Sequence, residues 1–137
     1  MTADDNSTDR YERGMAFFRS VNPSAAEAMQ QVLGDIAPDL MRYAAEFPFG
    51  DLYTRDDLDI RLRQTATLSA LACGGHMAQL KIHLQIARNI GLSRDELVAI
   101  FMQLAPYAGF PVAINAVLAV KEVFEDEKPF HPTTKET

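Results

Sequence analysis

The chain holds a single cysteine, Cys73. One thiol closes no intrachain disulfide, and sparse cysteine suits a reducing compartment. The Cys-x-x-Cys pair of thiol redox chemistry is absent, which leaves a lone cysteine near a helix end as inert packing. No apolar run approaches the ~20 residues that span a bilayer. The first residues, Met1-Thr2-Ala3-Asp4-Asp5-Asn6, are polar and acidic, without the apolar core of a signal peptide. These features predict a cytoplasmic protein that avoids membranes. Cationic charge is also short: the formal net charge is −6 and the pI about 4.9. That balance argues against a nucleic-acid partner, because phosphate binding needs a cationic surface. It still permits an anionic small molecule, since a few local arginines reverse the potential inside one pocket. No segment sustains period-two alternation or a hairpin turn, so no strand is expected. A Gly-x-Ser-x-Gly elbow and a Gly-rich phosphate loop are missing too.

Helical signals fill the space. The 137 residues, 47% of them hydrophobic, suggest one domain over 1–137 with an ordered core at about 8–125 and a loosely held tail. A first helix is expected from Thr8 to Val21. Asn22-Pro23 breaks it and caps a second that ends at Gly34. A third runs from Pro38 to Phe47, and Pro48-Phe49-Gly50-Asp51 is expected to stop it and open a loop to Arg55. Leu58 to Cys73 follows, with Leu62, Ala66, Ser69 and Cys73 along one side and Gly74-Gly75 at its end. The next helix closes at Gly91. Ser93-Arg94-Asp95-Glu96 has the form of a capping box. The helix it starts is disturbed by Pro106 and Gly109, and a last apolar helix covers Val112 to Phe124. Several of these helices are apolar over more than half their circumference. A short chain cannot bury so many alone, so a homo-oligomer is expected.

Chemistry concentrates between His76 and Arg88. At about 100° per residue His76, Gln79 and His83 share one face, among Leu80, Ile86, Ala87 and Ile90, while Ala78, Lys81, Gln85, Arg88 and Asn89 take the other. Polar groups inside an apolar stripe are either paired internally, as core or subunit-contact residues, or line a cavity. Metal binding fails on spacing: His76 and His83 stand about two turns and ~10 Å apart, and no Asp, Glu or Cys completes a ligand set. Cofactorless acid–base chemistry remains. His83 would be the catalytic proton donor, and Gln79, one turn earlier, would orient it or donate to a developing oxyanion. Arg63 is either a surface cation or the partner of a substrate carboxylate. Tyr107 is either structural or a further donor, and His76 lines the pocket. His131, in the tail, is a poor candidate.

Longer patterns then bear on the whole chain. Arg63-x-x-x-Thr67, Leu71-Ala72, Gln79-Leu80-x-x-His83 and Asn89-x-Gly91-Leu92-x-Arg94-Asp95-Glu96 resemble the carboxymuconolactone decarboxylase family. So do Leu104-Ala105-Pro106-Tyr107-Ala108-Gly109-Phe110-Pro111 and, earlier, Arg10-Tyr11-Glu12-x-Gly14-Met15 and Phe49-Gly50-Asp51-x-x-Thr54-Arg55-x-x-Leu58. The resemblance implies an all-α, alkyl hydroperoxidase D-like bundle of about six to seven helices. It implies a ring-shaped oligomer, a trimer or hexamer. It also implies decarboxylation of 4-carboxymuconolactone in aromatic catabolism without metal or organic cofactor, with His83 matching the family histidine. The peroxidase branch places its two cysteines where this chain has His76 and Gln79; Cys73 falls three residues too early, so a dithiol cycle does not carry over. Gln79 also stands where the decarboxylases carry glutamate. The leading expectation is a lyase acting on a small carboxylated lactone. The alternatives are a non-catalytic oligomeric binding protein and, lower, a peroxide-reducing protein.

Overall fold

A computed structural model describes the backbone of residues 3–125 and the side chains of residues 8–125. Every regular element among the described residues is helical. In chain order these are α1 (Ala3–Val21), α2 (Pro23–Ile36), α3 (Pro38–Ala44), a π-helical stretch (Ala45–Leu52), α4 (Ile60–Gly74), α5 (Met77–Asn89), α6 (Arg94–Ala108) and α7 (Phe110–Glu125). The all-α expectation holds, with seven α-helices among the described residues. Among the described residues no helix is long and apolar enough to cross a membrane. The expected loose tail, with His131, lies outside the described residues. The chain divides into two compact units, one ending at Leu58 and one beginning at Asp59.

In the first unit, Asn22 caps α2 by accepting from the Ala25 N–H at 3.3 Å, and Pro23 occupies the first turn. The loop expected at Pro48–Arg55 is instead mostly helix. Proline has no N–H to give, and the chain widens into i→i+5 bonding rather than stopping: the Tyr53 N–H donates to the Pro48 carbonyl at 2.8 Å. Packing holds this wide turn in place. A Cβ on Gly14 would lie 2.0 Å from the Ala45 carbonyl oxygen, and one on Gly50 would lie 2.6 Å from that of Arg10. α1 and the π-helical stretch therefore meet backbone to backbone. Arg10 grips both oxygens of Asp51, and Arg13 Nε donates to the Gly50 carbonyl at 2.7 Å. Phe18 stacks on Phe49 with ring centroids 4.5 Å apart.

The second unit is built round one core: Leu68 and Ala72 of α4, Leu80, Leu84 and Ala87 of α5, Leu97 and Phe101 of α6, and Ala116, Ala119, Val120 and Val123 of α7. The alanines of α7 let it lie close to its neighbours. The side of α4 that carries Leu62, Ala66, Ser69 and Cys73 is not the buried one. Leu62 is 60% exposed, and Gln64, Leu68 and Ala72 face inward. Apolar residues surround this helix, so spacing alone does not select a face. Ser93 and Glu96 form the expected capping box on α6. Pro106 sits within its last turn, and Gly109 ends it at φ 100°.

Candidate functional site

α4 and α5 make a tight antiparallel hairpin. Asp59 caps the start of α4, its Oδ1 accepting from the Arg61 N–H at 2.9 Å. Arg61 then ties that end of the hairpin down, donating to the Gly91 carbonyl at 3.1 Å and pairing with Glu96 of the capping box. At the other end Gly75 takes the left-handed conformation, φ 72°, that closes α4. The chain turns back at once, and α5 runs along α4. This brings together two residues nineteen positions apart, Gln64 and His83.

Gln64 is wholly buried. Its Nε2 donates to the His83 backbone carbonyl at 2.9 Å and lies 3.1 Å from His83 Nδ1. Burial pushes the His83 imidazole down from 6.5 to about 4, because the charged ring would lose its hydration. At neutral pH the ring is uncharged. A neutral imidazole is a hydrogen-bond donor at one nitrogen and an acceptor at the other. Near pH 7 such a ring offers its one N–H as a hydrogen bond and carries no second proton.

Of the other expected site residues, Arg63 precedes Gln64 on α4 and is half-buried, with its Nε shielded from water. Thr67 Oγ1 donates back to the Arg63 carbonyl at 3.1 Å, as expected of a helical threonine. Gln79 lies one turn before His83 on α5, and the expected burial beside it does not occur, because Gln79 is exposed. His76 is exposed too. It is the N-cap of α5 and not a helical residue, so the periodicity that linked it to His83 stops short of it. Its ring lies over Gly74, where a Cβ would come within 2.6 Å. Tyr107 ends up in the last turn of α6, 83% exposed. Gln85, placed on the polar side by spacing, is buried. Gln64 was missed, though its signal was present: with Leu68 and Ala72 it is a polar residue on an i, i+4, i+8 apolar stripe, the pattern that singled out His83.

Two other features offer less chemistry. A hollow of about 290 Å³ in the first unit is lined by Tyr11, Gln30, Gly34, Pro38, Asp39, Met41 and Arg42. Its polar groups engage one another: Gln30 Nε2 donates to the Tyr11 hydroxyl, and Arg42 pairs with Asp39. Among the described residues no three His, Cys, Asp or Glu side chains converge in a way that could hold a metal ion.

Residues 38–122 match the model of the carboxymuconolactone decarboxylase family. A protein named 4-carboxymuconolactone decarboxylase from Acinetobacter baylyi is 27% identical over 122 residues, 88% of this chain and 91% of its own length. An uncharacterized 15.0 kDa protein from the nqo9–nqo10 intergenic region of Paracoccus denitrificans is 23% identical over 118 residues, 85% of this chain and 88% of its own. The family match covers more than half of the sequence and includes all of α4, α5 and α6. The chain belongs to the carboxymuconolactone decarboxylase family.

Proposed function

We propose that this chain is a carbon–carbon lyase of acid–base type that acts on a small carboxylated lactone, 4-carboxymuconolactone or a related ring, without a cofactor. Family membership supports the reaction class. The single observation that carries the site is the contact of the wholly buried Gln64 on α4 with the partly buried His83 on α5. The reaction breaks the bond from a ring carbon to its carboxylate. CO2 leaves, the bonding electron pair enters an extended dienolate, and a proton is added to carbon. Arg63 would hold the carboxylate before it departs. The neutral N–H of His83 would donate to the dienolate oxygen as charge develops there, with Gln79 as second donor. Water would supply the proton that ends on carbon, because His83 stays uncharged.

His76, Gln79 and Tyr107 are exposed in the single chain, so they would line a pocket only once a neighbouring subunit covers them. Apolar residues support such an assembly. Phe110, Ile114 and Leu118 form an exposed i, i+4, i+8 stripe on α7, and Ile36, Leu40, Tyr43 and Phe47 are exposed in the first unit. The proposed state is a homo-oligomer, trimer or hexamer.

The test is release of CO2 from 4-carboxymuconolactone by the purified protein. His83→Ala should lower kcat by roughly 10²–10³-fold, the usual loss of one oxyanion donor, with fold and assembly intact. Saturable binding without turnover, on this and related carboxylated lactones, would overturn the lyase reading. It would favour the oligomeric binding protein, a reading that Gln79 supports because an amide cannot ionise.

A further inference from the structure

We infer that Gln64 is a positioning residue that holds the His83 imidazole in one tautomer, with its proton on Nε2. The backbone carbonyl of His83 can only accept. Its 2.9 Å contact therefore assigns the nitrogen end of the Gln64 amide to α5. The reversed amide would set two acceptor oxygens against each other in a place water does not reach. One Nε2 hydrogen goes to that carbonyl, and the second meets His83 Nδ1 at 3.1 Å. A ring nitrogen that accepts carries no proton, so the proton of the neutral ring sits on Nε2. An imidazolium would bring an Nδ1–H against the same NH2 group, donor to donor. Gln64 has little room to adapt: it is wholly buried, on the same side of α4 as Leu68 and Ala72.

This deepens the lyase reading and rests on it only for the catalytic consequence. A ring locked this way can act only as a donor at Nε2. The ligand class it selects has an acceptor oxygen at that point, a carbonyl or enolate, and not a hydroxyl or amine that must itself donate. Gln64 touches no substrate in this scheme; it acts through His83.

Nitrogen-15 NMR of the imidazoles in the parental protein is the direct test. His83 is assigned by substituting His76→Gln and His131→Gln. The expected spectrum shows one neutral form, protonated at Nε2 and bare at Nδ1. Protonation at Nδ1, or fast exchange between the two forms, would overturn the inference. Gln64→Glu replaces the donor by an acceptor. It should move the proton to Nδ1 and lower kcat on the order of 10²–10⁴-fold, as a wrong tautomer does in other histidine sites, with KM nearly kept. Gln64→Met covers the case in which a buried carboxylate prevents folding, and there the Nδ1–H form should become populated. Parental tautomer and turnover in both variants would sink the idea. An Nε2–H spectrum in a protein without lyase turnover would keep this inference and remove only the catalytic reading.

Discussion

Protonating His83 should weaken the fold, and its burial sets the size of the effect. In the unfolded chain the ring is hydrated and titrates near 6.5, whereas in the folded chain burial pushes it to about 4. Between those values the unfolded state binds a proton that the native state refuses. The contribution is complete above about pH 6.5. It is lost as the pH falls toward 4 and levels off below, where the native ring is protonated as well. Each tenfold change in proton affinity is worth about 1.4 kcal/mol, so the full loss is roughly 3 kcal/mol. That is a large part of the ~5–15 kcal/mol that holds a typical domain together. The assay is urea unfolding of the parent and of His83→Gln across this range, at one fixed protomer concentration. Carboxylates titrate there too. Asp51 is held below its usual range by its hydrogen bond to Arg10, and Glu96 by its bond from the Ser93 backbone. Those contributions cancel in the difference between parent and variant. The difference should shrink steadily as the pH falls. A difference that stays flat down to pH ~4.5 would refute the argument from desolvation.

Gly14→Ala should destabilise the first unit by roughly 3 kcal/mol or more, the top of the overpacking range, because its Cβ meets backbone at 2.0 Å; an unchanged urea midpoint would contradict the close approach. Ser93→Ala should remove about 1 kcal/mol by opening the α6 capping box, visible as a lower Tm, and an equal Tm would show that the cap adds nothing. Cys73→Ser should leave turnover within a few-fold of the parent, since one thiol runs no dithiol cycle; lost turnover with unchanged circular dichroism would make the thiol a participant. Ile114→Asp with Leu118→Asp should shift the assembly toward monomer in light scattering. Parental mass in that variant would place the subunit contact on another face.

Element ends were legible in the sequence because they are decided locally. Asn22-Pro23, Ser93 to Glu96 and Gly75 each settle their turn through bonds within a few residues. His83 was legible as well, since an imidazole on an apolar stripe stands out at any register. Tertiary packing decided the rest. Whether Pro48 stops a helix or widens it depends on the glycine-lined contact between α1 and the π-helical stretch, 37 positions apart at Arg13 and Gly50. Which side of α4 turns inward depends on where α5 lies, because apolar residues ring that helix. His76 and Gln79 share a helical spacing with His83, yet the cap geometry and the exposed first turn of α5 separate them from it. Gln64 reaches His83 only across the hairpin. A local pattern reports which residues could be buried, but the partner of a buried polar group is supplied by another part of the chain, and only the packed structure brings the two within a hydrogen bond.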